Sequence, residues 1–475
     1  MMQDVLRPPV PPNVESATDA EAAGPKNSEP KLKILWLASL DYQSGNAHGG
    51  NLRLINYAKQ LVSSGHEVYF VVRQRATDDT AARTGCLDEL RRQEVITDYF
   101  ELEYHHPKLR GKLGRLLFHP ALSKLLLRQQ QAPAADAINE IIVSKQINLC
   151  IFTSRDLLFV LPAIKKDVTT IVDWVDSLFL YHWRGARLDL KEYRLVPALK
   201  SLRFLAEAVM QERHYGRLCG ANLAVSPVDK RYLDLANGVP HKNHVLMNGV
   251  EAQEVEATAK VKNQIIFTGT MDFSPNYESA IWFIDHVFPL LRRHSDINLV
   301  IAGANPVEEL LARAGDGIQI TGYVENLREE IARSELYVAP LICGGGFKNK
   351  VVEAIASGTF VVGTSMAVEF LSPETRKHLL VADTAPEMAA AIVSYLQDPQ
   401  KFAANLETLK RIVAEELTWE KGASQLSEIA GGLRLTGPSK RGLNHFQQEV
   451  ASSVDSGKSL GDQSYVRKEP HPLEG

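Results

Sequence analysis

Cysteine is scarce in this chain: the four present, Cys86, Cys150, Cys219 and Cys343, form no CxxC pair. Neither a zinc centre nor a disulfide framework is expected, and a reducing compartment fits. No run reaches the roughly 20 apolar residues that span a bilayer, and the N-terminus lacks the basic-then-apolar order of a secretory signal, so a cytoplasmic protein is expected. A large excess of either charge is missing too. The 53 Lys and Arg against 57 Asp and Glu leave a formal net charge of −4, which argues against a nucleic-acid partner. No Asp-x-Asp pair of the kind that clamps Mg²⁺ occurs, so no obligatory metal or other cofactor is expected. Asp78 with Asp79 and Asp173 with Asp176 come nearest, and neither makes a convincing site.

What is present is globular. At 45% hydrophobic and 23% charged residues over a length of 475, the chain suits two domains of about 150–200 residues with tails. Residues 1–29, with Pro8, Pro9, Pro11 and Pro12, and residues 437–475 are polar and poor in large apolar side chains, so both are expected to be disordered tails. Between them, short apolar runs alternate with helical patterns, the order of parallel βαβ units covered by helices on both faces. One series starts at residues 33–38, with a glycine-bearing loop at 45–50, a helix carrying Leu52, Ile55, Ala58 and Leu61, and a strand at 68–72. Further strands are expected at 148–152, 169–172 and 222–225, and a charged helix at 199–219. A second series starts at 264–268 and continues with strands at 299–302, 318–321, 336–339 and 360–363. The polar stretch 251–262 reads as the linker. The expected layout is therefore an N-terminal α/β domain at 30–250, a C-terminal one at 263–416 and a final helix at 417–436.

The densest chemistry lies in Gly344, Gly345, Gly346, Phe347, Lys348, Asn349, Lys350, Val351, Val352 and Glu353. A short apolar strand stopped by Pro340 precedes it, and Val351, Val352, Ala354 and Ile355 make the apolar face of a helix after it. In open parallel sheets ligands collect at that strand end, where backbone N–H groups and a helix N-terminus meet an anion. With the helix starting near Asn349, Lys350 and Glu353 share one face, a cation for phosphate and an acceptor for hydroxyls. The run suits a nucleoside diphosphate. The alternative is an ordinary glycine-rich turn with surface lysines, in which Glu353 only answers the helix dipole.

Several segments, in order, resemble the retaining glycosyltransferases of family four. They are Gly49, Gly50 and Arg53; Gly65 to Val68; Ala224 to Ser226; Met247 to Val250; Phe267 to Gly269; and Gly358 to Val362. The resemblance implies a GT-B fold, two Rossmann-like doubly wound domains facing a cleft. It has a gap: the family carries Glu, seven residues, then Glu, and while Glu353 matches the second, Gly345 stands where the sugar-contacting first would be. The loop at residues 269–276 also lacks the family's basic pair, leaving Lys348 and Lys350 to supply that charge. Met271 with Asp272, Pro275 with Asn276, and residues 173–177 are similar to a subgroup of sugar transferases associated with bacterial exopolysaccharide and exosortase systems.

The resemblance implies transfer of a sugar from a nucleotide-diphosphate donor to an acceptor hydroxyl, with anomeric configuration retained. The acceptor is expected to be lipid-linked or a polysaccharide, at the inner face of the membrane. Lys350 and Lys348 are the candidates for the leaving diphosphate, Glu353 for the ribose hydroxyls, and Gly269 and Asn349 complete the donor side. Gly49, Gly50, Arg53, Asp173 and Asp176 are candidates for the phosphate or the acceptor. Alternatively Arg53 is a solvated helix residue, the two aspartates serve a cap or turn salt bridge, and Gly269 and Gly303 are plain turn glycines. His48 is a weaker candidate. A sugar-nucleotide epimerase and a non-catalytic binding protein on the same fold are the competing functions. Residues 113–118, with Lys108, Arg110 and Lys112, offer a membrane-surface patch or, alternatively, an ordinary basic helix.

Overall fold

The structure is a computed structural model that describes residues 31–38, 40, 49–74, 80–103, 133–191, 193, 195–251, 259–294, 296–435 and 466–467. His48, residues 113–118 and almost all of both expected tails lie outside these.

The first series forms an eight-stranded sheet in the order β14-β3-β2-β1-β4-β5-β6-β7. Its strands are β1 (Lys33–Ala38), β2 (Glu67–Gln74), β3 (Asp98–Glu103), β4 (Leu149–Phe152), β5 (Thr169–Asp173), β6 (Ala221–Ala224) and β7 (Asn243–Val245), all parallel, with β14 (Val466–Arg467) antiparallel on the β3 edge. The second forms a parallel six-stranded sheet in the order β10-β9-β8-β11-β12-β13. It is built from β8 (Val261–Thr268), β9 (Asn298–Ala302), β10 (Ile318–Gly322), β11 (Ser334–Ala339), β12 (Phe360–Gly363) and β13 (Leu380–Val381). The central strands are continuous apolar runs because helices cover both faces of each sheet.

Besides β14, three strands escaped the pattern: β3 reads Asp-Tyr-Phe-Glu-Leu-Glu, and β7 and β13 are only three and two residues long. β8 starts at Val261, inside the stretch expected to be linker, with Val261 and Lys262 exposed at its first residues. Val466 and Arg467 fall within the expected C-terminal tail and pair with Leu102 and Glu101.

In each sheet the strand order reverses once, between β1 and β4 and between β8 and β11. Such reversals open a crevice at the carboxyl ends of the strands, the place where open α/β sheets take ligands. The glycine-rich run follows β11 and Gly269 follows β8, so both stand at the second reversal.

The final helix, Trp419–Leu435, packs on the first sheet's layer, with Trp419, Ala423, Leu426 and Ala430 in one core with Tyr57 and Leu61. Trp419 meets the Tyr57 ring edge-on at 5.2 Å. Chain exit and return are tied together, Val250 N donating to Leu417 O at 2.8 Å.

Candidate active site

Gly269 and Gly303 end β8 and β9 with φ of +158° and +149°, and a Cβ on Gly303 would run into the Gly269 carbonyl. Only glycine lets these two strand ends approach so closely. A Cβ on Gly269 would in turn lie 2.8 Å from Lys350 Nζ and 2.7 Å from Asn276 Nδ2. The lysine from the helix Asn349–Ala356 therefore rests its amine against the Gly269 backbone. It donates to Asn276 Oδ1 at 2.6 Å and stands 4.6 Å from the centre of the Phe267 ring. Asn276 is held in turn by its donation to Thr270 O at 2.9 Å.

Lys348 is buried here, and Lys350 and Glu353 are half-buried. Burial, aided by neighbouring Lys348 and opposed by Glu353, pulls Lys350 down to about 7. Burial also pushes Glu353 above the usual carboxylate range, against the pull of Arg328 and Lys350. Buried Lys348 donates to the carbonyls of Gly345 and Gly346, bracing the glycine turn from inside, and burial lowers it against the fields of Glu369, Asp176 and Asp229.

The first sheet supplies the opposite wall. Gly346, at φ +73°, lies so close to Asp176 that a Cβ there would collide with the carboxylate. Burial raises the Asp176 carboxyl while Lys348, Arg155 and Arg53 hold it down. Arg184, from the helix Leu178–Lys191, donates to Gly344 O at 2.8 Å and grips both Glu369 oxygens at 2.7 and 2.6 Å. The turn at Ser177 that starts this helix is fixed by two buried acids. Asp229 accepts from Ser177 N at 3.0 Å, and Glu212 accepts from Leu178 N at 2.7 Å. Burial pushes these acids up to about 6 and about 7.

Arg53 is not the solvated residue that one reading allowed. It is buried, its guanidinium donating to Asp173 at 2.9 and 3.1 Å, to Leu246 O at 2.8 Å and to Asn248 Oδ1 at 2.8 Å. Asn248 passes the link on, donating to Asn349 Oδ1 at 2.9 Å. Asp173 and Arg53 thus reach the donor side through Asn248, at the first residue of the Lys350 helix. Gly49 and Gly50 open the helix Gly49–Ser63 that carries Arg53.

Of the candidates, Gly269, Lys348, Asn349, Lys350 and Glu353 come together at the β8/β11 reversal, and Asp176 meets them there. Asn276, Arg184, Asn248 and Arg328 were not singled out as site residues. Asn276 carried a signal, since it closes the glycine loop after β8; Arg184 lies mid-helix with nothing local to mark it. At Gly345 a Cβ would find open space. Gly345→Glu is accordingly expected to leave stability within about 0.5 kcal/mol of the natural chain, as urea denaturation would read.

Residues 262–398 match the family profile described as glycosyl transferases group 1. Among curated proteins, one described as an uncharacterized 44.6 kDa protein in the cps region of Klebsiella pneumoniae is 28% identical over 28% of this chain and 36% of its own. A phosphatidyl-myo-inositol mannosyltransferase of Mycolicibacterium smegmatis is 26% identical over 40% of this chain and 50% of its own. The chain thus spans half or less of the length of these two relatives. Among solved structures, Anabaena Alr3699/HepE in complex with UDP superposes with a TM-score of 0.58 at 16% identity, covering 85% of this chain and all of that one. A glycosyltransferase from Rickettsia africae superposes with a TM-score of 0.59 at 15% identity, covering 86% of this chain and all of that one. Residues 262–398, which match the glycosyl transferases group 1 profile, lie in the second sheet's half of a two-sheet fold of the GT-B kind.

Proposed function

We propose that this protein is a glycosyltransferase that moves a sugar from a nucleotide-diphosphate donor to an acceptor hydroxyl, with retention of configuration, in the synthesis of exopolysaccharide or another cell-surface glycan. The reading rests on one observation above all: the Lys350 amine, the Gly269 backbone and the start of the Asn349–Ala356 helix converge at a strand-order reversal. The UDP bound in the HepE structure and the mannosyltransferase and cps-region relatives support it.

In the proposed reaction the bond from the anomeric carbon to the diphosphate oxygen breaks, and its electron pair leaves with the diphosphate. The acceptor oxygen bonds to the same carbon from the face the diphosphate leaves, and its proton passes to the departing phosphate oxygen. Charge on the leaving group dominates the barrier, so a cation whose contact strengthens as that charge grows lowers it. Lys350 fills this role. Burial leaves the amine short of solvation, and a bound diphosphate supplies a counter-charge. Glu353, on the same helix face, accepts from the ribose hydroxyls, and Asp176, on the opposite wall, faces the acceptor. The acceptor is lipid-linked or a polysaccharide, taken up at the inner face of the membrane.

A screen of nucleotide sugars, with mass detection of released nucleoside diphosphate in the presence of lipid-linked and polysaccharide acceptors, tests this. Acceptor-dependent release from one donor is the expected result. Conversion of the donor without acceptor would point to an epimerase, and binding without any turnover to a non-catalytic protein; either would overturn the proposal.

Proton linkage gives a further prediction. With the free amine near 7 and a diphosphate anion drawing it upward, binding above pH 7 takes up a proton. Affinity is therefore expected to fall between pH 7 and 9, by up to about tenfold per unit. Calorimetry in two buffers of different ionisation enthalpy measures that uptake directly.

A further inference from the structure

The helices Leu178–Lys191 and Leu195–Leu218 form a hairpin whose packing is inverted for a water-facing element. Between them they bury small residues, Ala186 and Ala198, each 1% exposed. Their large apolar residues face outward at the tip: Tyr193 is 89% exposed, Val196 79% and Leu199 67%, with Leu190 and Leu195 also exposed. Soluble surfaces rarely gather large apolar side chains in one contiguous place without something to cover them. Charge identifies the cover. Residues 178–204 hold six cations, Arg184, Arg187, Lys191, Arg194, Lys200 and Arg203, against two acids, Asp189 and Glu192, in a chain whose overall balance is negative. Arg184 and Arg203 are engaged with Glu369 and Glu207, while Arg187 and Lys200 are exposed beside the apolar tip.

We propose that this hairpin tip docks on an anionic lipid surface, its leucine, valine and tyrosine side chains entering the headgroup region and Arg187 and Lys200 meeting lipid phosphates. Apolar side chains flanked by Lys and Arg stems that can snorkel are what an interfacial helix needs. Each cation held near an anionic leaflet strengthens the binding. The first helix starts at the Asp176–Ser177 turn, and its 14 residues span about 20 Å. The docked tip thus holds the acceptor wall about that distance from the bilayer, within reach of a sugar on a lipid carrier. This last consequence depends on the transferase reading; the docking itself does not.

Vesicle co-sedimentation of the full chain tests it, with vesicles of phosphatidylcholine alone and with about 30% phosphatidylglycerol. The expected result is binding to the anionic vesicles that weakens in about 0.5 M salt. A Val196→Glu/Leu199→Glu double variant is expected to bind them at least about tenfold more weakly, with nucleoside diphosphate affinity unchanged. Equal binding by the variant, or no preference for anionic vesicles, overturns the proposal. So does sedimentation velocity showing a dimer that this variant dissolves with no lipid binding in either form, since the tip would then be a contact between copies. The vesicle readout needs no nucleotide, so its failure and a failure of the donor reading are separately visible.

Discussion

Lys350→Ala is expected to lower kcat/KM for sugar transfer by about 10²–10³, the typical loss of about 3–4 kcal/mol when one preorganised donor to a developing charge is removed. The loss should fall mainly on kcat, because the diphosphate gains its full charge only as it leaves. The same position carries an opposite effect on stability. Its folded pKa near 7 lies below the ordinary lysine value of about 10.4, so the folded state resists protonation that the unfolded chain accepts. That cost is fully present below pH 7 and fades as pH rises toward the unfolded value. Lys350→Met should therefore gain about 1–2 kcal/mol at pH 7, and much less at pH 10, as urea denaturation at the two pH values would show. Less activity with more stability is the signature of a strained functional cation. A lysine that merely braced the fold would lose both.

Asp173→Ala is expected to destabilise the fold by about 3–5 kcal/mol, because it leaves the Arg53 guanidinium charged, buried and without its carboxylate. Pairing the change with Arg53→Met removes both charges, and the double variant should recover much of the loss. The chain from Asp173 through Arg53 and Asn248 ends on Asn349, so the single variant should also weaken diphosphate binding without touching the diphosphate. Chemical denaturation with calorimetry on the same samples separates the two effects. A loss under about 1 kcal/mol would mean that water reaches Arg53 and the link is not rigid.

The donor side was legible in the sequence because its parts are local. Glycine at a strand end, a lysine one residue into a helix and a carboxylate three positions later are all readable from spacing, and the two series of alternating strands give both sheets. The opposing wall was less legible because its bonds are long-range. Arg53 lies 120 residues from Asp173, and Arg184 lies 185 from Glu369. Nothing near Arg184 in the chain shows that its guanidinium will reach a turn on the other sheet. The helix expected at 199–219 begins at Leu195 instead, and the added turn carries Leu195 and Val196 to the exposed hairpin tip. A pattern search for buried faces has no reason to include apolar residues that end in solvent.

The proposed transfer requires Lys350 and its neighbours to receive a nucleoside diphosphate. Isothermal titration with a panel of nucleoside diphosphates, on the natural chain and on Lys350→Ala, tests this directly. At least one member is expected to bind saturably at pH 7, about tenfold or more weakly in the variant. No binding to any member, or equal affinity in both proteins, would contradict it.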